Sequence, residues 1–189
     1  MSSRVSNSKS EMLPLKLMII VSAIVLMLAV VNELTFETIA ANAEEKSNAA
    51  RRELFVESNG FESVDFELTA EESKTVSEIY SASGLGEDIL GYCLNVTCKG
   101  FGGDILLIVG VDLDGEVVGV QLVSHSETPG IGAKALSENG GLLSLFTGAS
   151  ASDVYNISAV SGATISSEAV TDGIAKAIAV AERLLKEGY

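Results

Sequence analysis

The sequence is poor in the residues that bind transition metals. Its 189 residues include one histidine, His125, and two cysteines, Cys93 and Cys98. Structural zinc and iron–sulfur sites need several such ligands, commonly as Cys-x-x-Cys pairs, and no such pair occurs. The two cysteines lie an odd number of positions apart in one predicted strand, so their side chains point to opposite faces. We therefore expect neither a dedicated metal site nor a disulfide between them.

Basic residues are also scarce. The chain has 12 Lys and Arg against 26 Asp and Glu, which gives a formal net charge of −14. A surface that binds nucleic acid needs the opposite sign, so we expect no nucleic-acid partner. Apolar residues make up 47% of the chain, which is enough for a packed core and argues against a disordered protein.

One long apolar run, residues 13–31, lies near the amino terminus and contains a single charge, Lys16. Its length is close to the roughly 20 residues that cross a bilayer as a helix. Arg4 and Lys9 also precede the run, and positive charges stay on the cytoplasmic side. The pattern predicts a cytoplasmic tail over residues 1–12, a transmembrane anchor over residues 13–31 and an extracytoplasmic remainder.

A cleavable signal peptide is the alternative reading of this region. Ala41-Asn42-Ala43 has the small-x-small form of a cleavage site. The apolar run ends at Val31, however, and a polar, helix-like stretch separates it from that site. This spacing favours a retained anchor.

The next part, residues 32–88, is expected to lead from the membrane into an extracytoplasmic domain. Its Ala- and Glu-rich beginning predicts a juxtamembrane helix from Asn32 to about Ser58. An acidic, mixed stretch follows, in which residues 75–80 form either a strand or a short helix. A glycine-containing turn over residues 83–88 closes this part.

Residues 89–189 are predicted to form the core of the domain, beginning with three strands. Runs rich in Val, Ile and Leu cover residues 90–99, 104–112 and 116–124. Asp112-Leu113-Asp114-Gly115 is a strong hairpin signal between the last two. The middle strand is apolar on both faces, which are formed by Ile105, Leu107 and Val109 on one side and by Leu106, Ile108 and Gly110 on the other. Other elements must therefore cover both faces of the sheet.

The third strand leads into a polar, glycine-containing loop, residues 124–134. Pro129-Gly130 suits a type II turn with Gly130 at positive φ, and Gly132 permits close approach of another group. Glu127 and Thr128 stand just before this turn. The loop is either a connection whose polar side chains cap their own backbone or part of a binding site.

The remaining sequence predicts a helical stretch, a short strand and a long helix. The helical stretch is broken at residues 139–141, and the strand covers residues 155–160. Apolar residues recur at helical spacing from Ile165 to Lys186, and Thr164 is a natural N-cap for this helix.

The junction before the last helix, Ser161-Gly162-Ala163-Thr164, has two readings. Small residues let another group approach the backbone, and a helix amino terminus favours a negative charge, so the junction suits an anion. The other reading is a tight turn followed by a Thr cap.

The two motifs together resemble those of a known family. Ser161-Gly162-Ala163-Thr164 is similar to the S/T-G-A-T/S signature of FMN-binding domains, in which flavin mononucleotide (FMN) is joined through its phosphate to the final Thr. Residues 125–132, HSETPGIG, resemble the H-x-E-T-P-G-φ-G segment of the same domains. With the anchor and the segment NELTFETI that follows it, nearly the whole chain resembles the G subunit of the Rnf complex, an ion-translocating ferredoxin:NAD oxidoreductase.

This resemblance implies a fold and a set of cofactor-binding residues. The fold would be α+β, with one transmembrane helix followed by an FMN-binding domain whose antiparallel sheet is packed by helices. FMN would be esterified to the Thr164 hydroxyl, and Ser161, Gly162 and Ala163 would surround the linkage. The loop would contact the isoalloxazine ring or the ribityl chain through the following residues: His125, Glu127, Thr128, Gly130 and Gly132. Glu127 and Thr128 would order the loop or bond the ribityl hydroxyls, and His125 would be a proton partner of the ring or a cap.

The resemblance also implies a function. The protein would be an electron carrier in a prokaryotic cell membrane, would work with the other membrane and peripheral subunits of the Rnf complex, and would receive FMN from a flavin transferase. Ser158 stands where the family motif often has Asp, so slower flavin attachment is expected. The sequence shows neither a nucleophile–base pair nor a substrate-pocket signature, so we do not expect a self-contained enzyme. The alternatives are an FMN carrier like the C subunit of the sodium-pumping NADH:quinone reductase and an anchored, non-redox binding module.

Overall fold

The computed structural model describes residues 7–86, 88–137 and 141–188, without the side chains of residues 7–13, 37–40 and 131. The chain divides into two compact units, residues 1–45 and 46–189, and each is described by itself. Helix α1 runs from Asn7 to Leu54, so it supplies most of the first unit and the first residues of the second.

The first unit carries the predicted membrane span. In the described part of the chain, α1 is the one helix long and apolar enough to cross a membrane. Its apolar side chains are exposed, and Leu26 and Met27 reach 70%. The helix continues without a break past Asn32 and ends at Leu54, short of the end expected near Ser58. The early end follows from a turn, because Ser58 donates both its backbone N–H and its hydroxyl to the carbonyl of Phe55, at 3.1 and 2.8 Å.

The second unit is built on a five-stranded antiparallel sheet in the simple order β1-β2-β3-β4-β5. The strands are β1 (Gly60–Ser63), β2 (Val76–Ser83), β3 (Ile89–Lys99), β4 (Asp104–Asp112) and β5 (Val117–His125). The three predicted strands are confirmed as β3, β4 and β5, and of residues 75–80, for which a strand or a short helix was expected, residues 76–80 belong to strand β2. The α+β class is confirmed as well.

Both faces of the sheet are covered, as the apolar middle strand requires. Helix α3 (Thr164–Glu187) packs across β3 and β4 on the face that contains Leu107 and Val109. Ile108, on the opposite face of β4, belongs to a separate cluster with residues from the end of α1.

We call the face of the sheet that contains Ile108, opposite α3, the outer face. The end of α1 packs closely on this face because two glycines make room for it. Leu54 and Phe55 are each 8% exposed. Gly110 and Gly119 pair in the neighbouring strands β4 and β5. A Cβ at Gly119 would lie 2.9 Å from the Leu54 side chain, and one at Gly110 would lie 3.2 Å from the Phe55 ring. The absent side chains let the helix end approach the strands closely.

Arg51 adds polar contacts to this packing. Its guanidinium lies 3.6 Å from the centroid of the Tyr80 ring, on β2, within the range of a cation–π contact. It also donates to the Asn48 side chain at 2.7 Å. Arg51 is only 3% exposed, so these contacts replace part of the water that a surface arginine would have, while its buried Nε has no hydrogen-bond partner among the described residues.

The cysteines lie where the strand pattern places them. Cys93 packs in the cluster of the outer face and Cys98 in the cluster under α3, and both are free thiols. Burial raises the pKa of each to about 12. Both therefore stay protonated near neutral pH and are poor nucleophiles.

The described residues between β5 and α3 form short helices and irregular connections. The short helices are α2 (Ile131–Ala135) and two 3-10 turns, Leu142–Phe146 and Val154–Asn156. The strand predicted over residues 155–160 is therefore wrong. Its first residues bond locally, since Asn156 N–H donates to the Asp153 carbonyl and Ile157 N–H to that of Val154. The predicted helix break at residues 139–141 lies largely outside the described residues.

Candidate functional site

One cavity in the second unit brings the two glycine-containing motifs together. Its volume is about 530 Å³. It is lined by the turn between β3 and β4, the loop that follows β5 and the start of α3. The described lining residues are Phe101, residues 127–130, Gly132 and residues 162–166. The motifs are thus two walls of one site.

Thr164 is the first residue of α3, and its side chain is exposed. Gly162 has φ 86°, in the left-handed region that glycine adopts without strain, and so turns the chain into the helix. The predicted Thr164 N-cap is wrong: Ala163 occupies that position without a side-chain cap. The hydroxyl of Ser167, in the first turn of α3, instead accepts the N–H of Val160 at 3.1 Å, which ties the segment before the helix to that turn. Among the described residues, no hydrogen bond engages the Thr164 hydroxyl.

The loop after β5 differs from the predicted turn in one angle. Gly130 has φ 122°, so the expected positive φ is confirmed. Its ψ is −111°, however, whereas the second central residue of a type II turn has ψ near 0°. The chain instead enters α2 directly, and the Lys134 N–H donates to the Gly130 carbonyl at 3.0 Å. A Cβ at Gly130 would meet nothing within 4 Å, so conformation and not space calls for glycine there.

Glu127 holds the walls of the cavity together. Its carboxylate accepts hydrogen bonds from the backbone N–H groups of Phe101 at 2.9 Å and Gly102 at 3.1 Å. The hydroxyl of Ser166, in the first turn of α3, donates to the same carboxylate at 2.7 Å. Glu127 is 7% exposed although it belongs to a loop. Of the two roles expected for it, ordering the loop is the one that these contacts perform.

Two of the predicted site residues lie beside the cavity and not in its described lining. His125 is exposed, and its Nδ1 accepts the Glu127 N–H at 3.2 Å, which is a capping contact within the loop. Ser161 is exposed and precedes the lining residues of the second motif. The other predicted residues, Glu127, Thr128, Gly130, Gly132 and residues 162–164, all line the cavity.

Sequence reasoning missed the third wall, which is the turn between β3 and β4. Phe101 lines the cavity from this turn and is 73% exposed. The available signal was the run Gly100-Phe101-Gly102-Gly103. A Cβ at Gly102 would lie 2.8 Å from the Glu127 Cα, and one at Gly103 would lie 2.7 Å from the Ser126 Cβ. These glycines let the turn pack against the loop. The need for glycine at these positions becomes clear only when the structure shows that the turn and the loop are neighbours.

The cavity suits a flavin nucleotide in size and in the chemistry of its walls. Ligand pockets usually measure about 300–1,000 Å³, and the cavity, at about 530 Å³, lies within this range. The first N–H groups of α3 have no helical carbonyl to bond, which favours a phosphate group. Phe101 offers an aromatic face to a planar ring, and Gly130 and Gly132 line the cavity with backbone alone. The exposed Thr164 hydroxyl lies beside the same helix end.

Comparison with known protein families agrees with this assessment. The model of the FMN-binding domain family matches residues 100–179, a range that contains every described lining residue of the cavity. The fold and the site therefore define an FMN-binding domain.

Several related proteins match half of this chain or more. The G subunit of the Na(+)-translocating ferredoxin:NAD(+) oxidoreductase complex of Acetobacterium woodii is 30% identical in an alignment 180 positions long, and the match covers 84% of this chain and 85% of the relative. The chain belongs to this family of Rnf-complex G subunits. The G subunit of an ion-translocating oxidoreductase complex of Methanosarcina acetivorans is 29% identical over 92% of this chain and 95% of its own length. A proton-translocating counterpart from Clostridium ljungdahlii is 38% identical over 51% of this chain and 56% of the relative. Membership of this family and the apolar helix indicate association with a membrane.

Proposed function

We propose that the protein is a membrane-anchored electron carrier of an ion-translocating ferredoxin:NAD oxidoreductase, with FMN joined covalently through its phosphate to the Thr164 hydroxyl. The observation that carries the proposal is the position of this hydroxyl. It is exposed, lies at the first residue of α3 and borders a cavity of about 530 Å³ in a chain of the Rnf G-subunit family.

The start of α3 orients the phosphate, and the ester bond retains it. A helix dipole contributes only about 0.3–1 kcal/mol to an exposed anion. The formal net charge of −14 opposes a free phosphate, and no Lys, Arg or His is found among the described lining residues. Electrostatics therefore does not explain tight binding of free FMN, whereas a Thr–phosphate ester does. The linked product contains one FMN less the elements of water.

The other walls position the ring and the ribityl chain. Gly130 leaves the loop backbone open to close approach, because a Cβ there would meet nothing within 4 Å, and Thr128 offers a hydroxyl to the ribityl chain. Phe101 supplies an aromatic face beside the ring. When bound, FMN supplies reversible electron acceptance, and the protein binds, orients and tunes it. The proteins that exchange electrons with it are other subunits of the complex, and a flavin transferase attaches it.

Electron flow through the assembled complex tests this role. The Thr164→Val variant keeps the side-chain shape and removes the hydroxyl, so the complex should assemble while ferredoxin-dependent reduction of NAD⁺ falls to background. The polypeptide composition of the purified complex and NAD⁺ reduction by membranes are the two readouts. Full activity in a flavin-free complex would refute electron transfer through this subunit. Loss of the complex itself would point to a scaffolding role and also count against the proposal.

The orientation in the membrane follows from the charges around the apolar run. Arg4, Lys9 and Lys16 lie at its amino-terminal side, so we expect the tail in the cytoplasm and the flavin domain outside. Protease added to intact spheroplasts should digest the chain beyond Asn32 and leave a cytoplasmic marker protein whole. Complete protection of the domain would contradict this orientation. A mature chain that lacks residues 13–31 would instead establish a cleaved signal peptide.

A further inference from the structure

The charge on Glu127 is unusual for its surroundings. Among the described residues that line the cavity, Glu127 is the only ionisable one. Its three hydrogen-bond partners, the N–H groups of Phe101 and Gly102 and the hydroxyl of Ser166, all donate, which is the pattern of an ionised carboxylate. Within the described part of the chain, no Lys, Arg or His lies within 4.0 Å of its oxygens. The wall of the cavity thus contains a buried negative charge that dipoles solvate and no cation neutralises.

The position of this charge is fixed by packing. A Cβ at Gly102 would lie 2.8 Å from the Glu127 Cα, and a Cβ at Gly132 would lie 2.8 Å from Oε2 of its carboxylate. The backbone therefore closes around the side chain from two segments, while Ser166 holds it from α3. Because the side chain is 7% exposed, it cannot turn into solvent without opening these contacts.

We propose that Glu127 is a redox-tuning residue, whose fixed negative charge lowers the midpoint potential of the flavin held in this cavity. This inference rests on the proposed function, that FMN occupies the cavity. Each electron that a partner subunit delivers brings negative charge into the cavity, and a nearby anion raises the free energy of that reduced state. Glu127 is 7% exposed, and charges interact more strongly in such buried surroundings than in bulk solvent. Glu127 thus acts on the flavin through its electric field, and its hydrogen bonds to the cavity walls fix the distance between its carboxylate and the flavin.

Two variants separate the charge from the hydrogen bonds. Glu127→Gln keeps the length and shape of the side chain and removes the charge, so the midpoint potential should shift to more positive values. Ser166→Ala removes a donor and leaves the carboxylate ionised and less well solvated, so the potential should shift in the opposite direction. A purely structural role predicts that both variants loosen the same site and therefore change the potential in the same direction.

The measurement is a spectroelectrochemical titration of the full chain, purified in detergent from a host that attaches flavin. Intact mass is recorded first, because wild-type protein without covalent FMN would refute the proposed function and this inference together. If wild type carries FMN, a positive shift in Glu127→Gln with a negative shift in Ser166→Ala supports redox tuning. An unchanged or more negative potential in Glu127→Gln overturns it and leaves the proposed function intact. Should Glu127→Gln fail to fold, Ser166→Ala decides alone: a lower potential supports the inference, and an equal or higher one overturns it.

Discussion

The Thr164→Val protein should be folded, inserted in the membrane and free of covalent flavin. Valine matches threonine in shape, and the Thr164 side chain is exposed at the start of α3, so its replacement costs little stability. The variant lacks the hydroxyl, and without its oxygen the ester to the FMN phosphate cannot form. After denaturing electrophoresis, the wild-type band should fluoresce yellow-green and the variant band should be dark. The expected loss is complete, since a residual covalent fraction needs another nucleophile.

Thr128→Val is the matched control for this result. Thr128 lines the same cavity and is also exposed, so the two variants remove the same group from two walls of one site. Thr128→Val should keep its fluorescent band. A fluorescent Thr164→Val band together with a dark Thr128→Val band would move the linkage to the loop. Wild-type protein expressed without a flavin transferase should be folded and colourless.

Phe55→Ala should destabilise the second unit by about 3–5 kcal/mol, the usual cost of removing a buried aromatic side chain. Phe55 is 8% exposed and packs with Leu54 against the outer face of the sheet, next to Gly110. The strands carry glycine at positions 91 and 110 beside the ring, so these two positions supply no side chain to fill the space. Since domains are stable by only about 5–15 kcal/mol, such a loss should make the domain sensitive to protease at moderate temperature. Denaturant unfolding of the full chain in detergent gives the free energy.

Val56→Ala provides the control next to it in the chain. Val56 is 83% exposed, so the substitution should change the free energy of unfolding of the domain by no more than about 0.5 kcal/mol. Equal, small effects of the two substitutions would mean that the end of α1 is not part of the domain core. The expected difference places Phe55 within the folded domain, well before the FMN-binding match that starts at residue 100.

The regular elements could be predicted from the sequence because their signals are local. The apolar runs of β3, β4 and β5 are bounded by turn residues, and the actual strand ends differ from the predicted ones by at most one residue. The amphipathic pattern of the last helix likewise begins within one residue of α3. Two local predictions failed: residues 155–160 have a strand-like composition but form no strand, and Ala163, not Thr164, is the N-cap of α3.

The site could be predicted only where a motif marks it. The residues around Gly130 and Thr164 were found because they belong to two recognisable segments. Phe101 and Ser166 were not, because their roles arise from contacts with Glu127 over separations of 26 and 39 residues. No periodicity or spacing in a single sequence connects these positions. The glycines at 100, 102 and 103 are conspicuous in the sequence, but only the structure shows that they make room for the loop that contains Glu127.

The most direct test of the account is the mass of the peptide that contains Thr164, isolated by proteolysis from protein of the native host. The covalent assignment predicts that this peptide is heavier than its sequence by one FMN less water and that fragmentation places the added mass on Thr164. An unmodified Thr164 peptide at full abundance, or the flavin mass on another residue, would contradict the central claim.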